Sequence, residues 1–161
     1  MKEMVYTNRY GRYGEKDVVL DSGTYKGFDY CIMSLGTHPT AYVRIPTTHF
    51  LYDKVDYETT NIDFHFGVTY ARHSEFDGKE GYWIGCDYSH YGDYYFDNFD
   101  GDGKKWTTAE LKESILKAID SIVVMKEKDF ISDKISDKLE EISGFRSDID
   151  KCLETIKEIL K

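Results

Sequence analysis

The chain has 161 residues, a net charge of −9 at pH 7, an apolar share of 40% and an aromatic share of 16%. That length builds one domain with a real core and room for an appendage. The acid excess disfavours non-specific binding to a nucleic-acid backbone, and no apolar run reaches the length that crosses a bilayer.

The N-terminal stretch MKEMVYTNRYGRYG lacks the apolar segment of a signal peptide. Cys31, Cys86 and Cys152 are odd in number, widely spaced and set beside apolar residues. They read as reduced, buried thiols, so the expected location is cytoplasmic.

Composition changes at Trp106: twelve of the thirteen glycines, both prolines and all fourteen tyrosines precede it. The pattern predicts an α+β fold, with an antiparallel sheet packed by one amphipathic helix and followed by a C-terminal helical, coiled-coil-like extension. The expected division is a core domain over 1–125 and a helical oligomerisation tail over 126–161.

Taken in chain order, Asp17 to Leu20 reads as a strand that stops at the turn-forming Asp21-Ser22-Gly23. Phe28 to Met33 is the next strand, followed by a turn over Leu35 to Pro39. Ala41 to Ile45 follows, ended by Pro46. Ile62 to Ala71 alternates as the longest strand, with Ile62, Phe64, Phe66 and Val68 on one face. Asp63, His65, Gly67 and Thr69 share the other. Tyr82 to Cys86 lies beyond a turn containing Asp77-Gly78 and is expected to pair with it antiparallel. That pairing would place Asp63 and His65 beside the segment from Gly81 to Tyr95.

After Trp106, Thr107 and Glu110 have the spacing of a capping box. Leu111, Ile115, Ala118, Ile119 and Ile122 then mark one helical face. From Ile135, apolar residues recur at Leu139, Ile142, Ile149, Leu153, Ile156 and Leu160, with Arg146 in the one polar slot. This heptad stripe predicts self-association through the tail. Gly144 leaves open one bent helix or a hairpin of two.

The chemistry-bearing residues cluster in the segment Gly81–Tyr95. Asp87, His90 and Asp93, with Asp63 and His65, offer either a divalent-metal site or an acid–base pair. A structural hydrogen-bond network is the plain alternative. Asn98 to Gly103 resembles the start of a calcium loop, but Ala109 stands where the bidentate glutamate belongs. His38, Arg44, Arg72 and His73, with Lys26, Arg9 and Arg12, are candidates for an anion site. Arginine forks bind phosphate, and tyrosines stack on a base. No phosphate loop or nucleophile elbow is present, and no motif asks for a cofactor.

The stretches AYVRIPTTHFLY, IDFHFGVTYA, GYWIGCDYSHYGD and WTTAELKESILKAID together resemble a family of small proteins encoded by bacteriophages and prophages. Its pattern has a His-Gly-Gly-Leu-Thr-Tyr strand, a Trp-Trp-x-Gly-Phe-Asp-x-x-His-x-Gly-Asp segment and a helix opening Trp-Thr-x-Glu. The most specific match is Trp83-x-Gly85-x-Asp87-x-x-His90-x-Gly92-Asp93. Phe66 stands where the pattern has glycine, Cys86 where it has phenylalanine, Ala41 where it has glycine and Phe50 where it has proline. The tail after about residue 125 is an addition to the family core.

The resemblance implies a counter-defence role by binding, either sequestering a nucleotide-like immune signal or docking on a host defence protein. For a nucleotide, the expected ligand-binding residues are His38, Arg44, His65, Arg72, Asp87 and His90. The alternatives are a metal-dependent hydrolase using His65, Asp87, His90 and Asp93, and an acidic inhibitor that mimics nucleic acid.

Overall fold

The structure, a computed structural model, describes residues 1–6, 18–57, 61–94 and 103–159, the last three in backbone only. Arg9, Arg12 and the Asn98–Asp102 part of the calcium-like loop lie outside the described residues. The chain forms two compact units, Met1–Val124 and Met125–Lys161. Its fold is α+β, as expected from composition.

The first unit is built on five strands: β1 (Val18–Tyr25), β2 (Phe28–Ser34), β3 (Pro39–Ile45), β4 (Tyr70–Phe76) and β5 (Lys79–Asp87). They form one sheet in the order β1-β2-β3-β5-β4, with every neighbouring pair antiparallel. Two tight hairpins set the register. Lys26-Gly27 and Asp77-Gly78 all take positive φ, the backbone that matches the twist of paired strands. The hairpin across Asp77-Gly78 is therefore present, but it joins β4 to β5, and of the expected partner strand Ile62–Ala71 only Tyr70 and Ala71 take part.

Two expected features are corrected. Asp21-Ser22-Gly23 is not a turn but the middle of β1, where a register shift between Val19 and Asp21 absorbs the irregularity. Ile62–Ala71 is not a strand, because only Tyr70 and Ala71 belong to β4. Phe66 and Gly67 take φ of 57° and 91°, which turns the chain and breaks the alternation. Ile62, Phe64 and Val68 are still buried, whereas Phe66 is 63% exposed.

A helix α1 (Thr108–Val124) packs on β1, β2 and β3. It buries Leu111, Ile115, Ala118, Ile119 and Ile122, the face expected from periodicity. Lys112 shows which side of the sheet is covered, since it pairs with Asp21 at 2.9 Å and sits over the Tyr30 ring. The capping box closes reciprocally: Glu110 N–H donates to Thr107 Oγ1 at 3.3 Å, and Thr107 N–H donates to Glu110 Oε2 at 2.9 Å. Those bonds, with Lys104, hold the Glu110 carboxyl down to about 2.

The other face of the sheet carries its own apolar cluster of Cys31, Met33, Tyr42 and Trp83, with Val19, Tyr70 and Phe76 against it. Tyr42 stacks on Phe76 at 4.1 Å and lies over Gly85. A Cβ on Gly85 would come within 2.3 Å of the Ala41 carbonyl oxygen and 2.6 Å of the Tyr42 ring. At the rim of this cluster, Asp29 accepts from Thr24 at 2.6 Å, Lys79 at 2.7 Å and Arg44 Nε at 2.9 Å. Burial opposes ionisation of Asp29, but these donors outweigh it and bring its carboxyl from 3.8 to about 2.

The second unit holds α2 (Glu127–Ile159), one uninterrupted helix of 33 residues that runs through Gly144. This decides between the long helix and the hairpin. No helix among the described residues is long and apolar enough to cross a membrane.

Two measurements check this account. Gly85→Ala should lower unfolding free energy by about 2–3 kcal/mol, because the methyl meets backbone that cannot step aside. Asp29, with its folded carboxyl below the unfolded one, stabilises fully above about pH 4 and loses that contribution as pH falls through about 2. The contribution is about 2 kcal/mol, so urea midpoints of Asp29→Asn should change less than wild type across that interval.

Candidate metal centre

The site grows from the exit of β5. After Asp87 the chain continues beside β3, with Tyr88 N–H donating to the Pro39 carbonyl at 3.0 Å, and Tyr88 is fully buried. It then turns through Ser89 to Gly92. Gly92 has φ of 91°, and Asp93 N–H returns to the His90 carbonyl at 2.9 Å. The turn folds the Asp93 side chain back inside, only 4% exposed.

A buried carboxylate needs donors on both oxygens. Asp93 Oδ2 accepts from the His90 backbone N–H at 3.0 Å and from His65 Nε2 at 2.8 Å. Oδ1 accepts from the Trp106 indole at 2.8 Å. Since the carboxylate only accepts, His65 carries its proton on Nε2 in this arrangement.

His65 comes from the loop before β4, fixed by a turn in which Gly67 N–H donates to the Phe64 carbonyl at 3.0 Å. Its ring stacks on Tyr88 at 4.7 Å and 6°, and Trp106 meets it edge-on at 5.0 Å. Tyr88 Oη donates to Ser114 on α1, and burial pushes its own hydroxyl well above the usual range. The imidazole is thus held in an aromatic slot with one nitrogen directed at Asp93.

His90 is held differently. Phe66 stacks on its ring at 4.8 Å and 9°, a contact made possible by the left-handed backbone at Phe66. His90 Nδ1 lies 3.7 Å from Asp87 Oδ1 and 3.9 Å from Asp93 Oδ2, both beyond hydrogen-bond reach. That nitrogen is buried and has no partner. Thr40, which faces Asp87 across the β3–β5 register, has a buried hydroxyl in the same condition.

Asp87 itself is well supplied. Oδ1 accepts from Ser89 Oγ at 2.6 Å and Ser89 N–H at 3.2 Å, and Oδ2 from Thr69 Oγ1 at 2.9 Å. Burial works against its charge, but these bonds and the neighbouring His90 prevail, so its carboxyl titrates below the ordinary range. His38 titrates low because it is buried, and the charges it feels are those of Asp87, His90 and Asp93. It belongs to the same neighbourhood, with Nδ1 3.0 Å from Thr37 Oγ1.

One ligating atom from each of His65, His90 and Asp93 lies within 4.8 Å of the other two. Once an ion displaced the proton that His65 shares with Asp93, two imidazole nitrogens and one carboxylate oxygen would form a donor set for a divalent ion of the zinc class, not for the oxygen-seeking magnesium or calcium.

Of the residues expected to bind a nucleotide, His38, His65, Asp87 and His90 come together and the arginines do not join them. Arg44 and Arg72 both stand level with Trp83, four residues along β5 from Asp87, roughly 13 Å at strand spacing. Arg44 is bound to Asp29, and Arg72 lies over the Tyr70 ring at 4.4 Å. Asp63 is exposed, and its backbone N–H donates to Ser121 on α1 at 2.9 Å. Phe66, Tyr88 and Trp106 are the members that sequence reasoning missed. Trp106 read only as the point where composition changes and as the start of the Trp-Thr-x-Glu match, thirteen residues from the acid it bonds.

Compared with protein-family models, curated proteins and solved structures, the chain finds no match.

The network makes unequal demands on its members. Asp93→Asn presents an amide to one of three donors in a buried place and should lower stability by about 3 kcal/mol. His90→Ala removes a side chain whose Nδ1 makes no hydrogen bond and should cost about 1 kcal/mol, mainly the Phe66 contact. Chemical denaturation of the two variants beside wild type measures the difference.

Proposed function

We propose that this is a metal-binding protein, with a zinc-class divalent ion held by His65, His90 and Asp93, acting as a metal-dependent hydrolase. The observation that carries this reading is His90 Nδ1, buried without a partner between two carboxylates and beside a second imidazole. An unsatisfied buried nitrogen costs about 1–3 kcal/mol, and an ion is the partner its surroundings suit. Three protein ligands would leave a position open for a substrate, as in catalytic rather than structural zinc sites.

When bound, such an ion supplies Lewis acidity at neutral pH. The chain's own groups do the rest. Asp87, ionised and partly exposed, stands beside the centre as a negative charge that favours a cation there. Tyr88 and Trp106 fix the imidazole of His65, and Phe66 shields that of His90 from water.

The counter-defence role implied by the phage-family resemblance, in the cytoplasm of an infected host, is compatible with this centre. A nucleotide-like signal brings phosphate, and phosphate needs a cation. With Arg44 and Arg72 engaged elsewhere, the ion is the group to meet it.

The test begins with chelator-stripped protein titrated with zinc and, separately, with magnesium. Zinc should bind once per chain and, at a hundredfold excess over its dissociation constant, stabilise by about 2.7 kcal/mol. Magnesium should do neither, and His90→Ala should lose zinc binding while remaining folded. Absence of zinc binding by wild type at micromolar concentration sinks the proposal. Incubating the zinc-loaded protein with signalling nucleotides then separates the roles: conversion marks a hydrolase, and intact recovery after heating marks sequestration.

A further inference from the structure

Helix α2 presents a stripe with no counterpart in its own unit. Ile135, Leu139, Ile142, Ile149, Leu153 and Ile156 are between 49% and 62% exposed. Ile131 and Phe145, also exposed, widen the stripe along one border. The steps alternate four and three residues, so the stripe stays against a partner helix along its whole length when the two wind gently around each other in a left-handed supercoil. Covering these eight side chains removes on the order of 800 Å² from each helix, the share that a stable interface takes from each partner.

We infer that the stripe is covered by α2 of a second copy of this chain, running antiparallel and centred at the level of Gly144. The spacing is self-complementary about that point. Ile135 falls opposite Leu153 of the second copy, Leu139 opposite Ile149, and Ile142 opposite Arg146. A parallel pair would instead set the two Arg146 guanidiniums against each other in the seam.

Charge favours the same direction. The half from Glu127 to Ser143 carries six acids and three bases, and the remainder of the helix to Ile159 carries four acids and three bases. Antiparallel pairing lays each acid-rich half along the nearly balanced one, whereas parallel pairing aligns the two acid-rich halves. The helix dipoles also oppose one another in this arrangement.

The experiment uses the full chain. Light scattering after size exclusion should give an assembly of at least two copies at micromolar concentration. Leu139→Lys combined with Ile149→Lys should give a monomer whose near-ultraviolet circular dichroism is that of wild type. Direction is read with the exposed Cys152. In Lys138→Cys the introduced thiol lies close to Cys152 of the second copy, so mild oxidation should yield a disulfide-linked dimer whose cross-linked peptides join positions 138 and 152. Wild type should give none. A monomer at 100 times the protein concentration of the scattering experiment, or a wild-type Cys152–Cys152 cross-link, overturns the inference.

Discussion

The Asp93 carboxylate accepts hydrogen bonds from three stretches that are distant or turned away from each other in sequence: the turn after β5, the loop before β4 and the approach to α1. Each donor alone contributes modestly, because folding exchanges it for water. Together they let a charge stay buried, and in doing so they fix where His65, His90 and Trp106 can stand. The site depends on this convergence more than on any single element, since none of the three segments is itself a helix or strand.

The sheet supports it from both sides. On one face α1 buries an aliphatic stripe. On the other, tyrosine, phenylalanine and tryptophan rings pack over the strands, with Gly85 making room for Tyr42. A β5 paired on both edges, to β3 and β4, with rings packed over one face, is a stiff support. The side chains delivered at its exit therefore hold their positions. Asp29 performs a related task at the rim, drawing Arg44 and Lys79 inward and taking that arginine away from the site.

Local rules carried the legible part of this chain. The Thr107–Glu110 cap, the α1 face and the Asp77-Gly78 hairpin each rest on residues within a few positions of one another. The same reasoning failed where tertiary pairing overrode composition. Asp21-Ser22-Gly23 has turn-forming residues, yet β2 pairs with it across its length. Ile62 to Ala71 alternates, but Phe66 adopts a backbone that its side chain disfavours, and its ring finds His90 in exchange. In the site, Asp87, His90 and His65 were visible as candidates because acids and histidines are conspicuous. That Arg44 would be taken by Asp29, or that Trp106 would serve Asp93, depends on register across strands and loops, which spacing does not carry.

The sheet's two outer strands among the described residues bear on how the chain avoids pairing with other strands. β1 is interrupted by its register shift, and β4 carries Arg72, His73 and Glu75 in succession-breaking, largely exposed positions. A bulged edge and a charged edge are both poor templates for another chain's backbone. The sheet is thereby protected against edge-to-edge growth into fibrils.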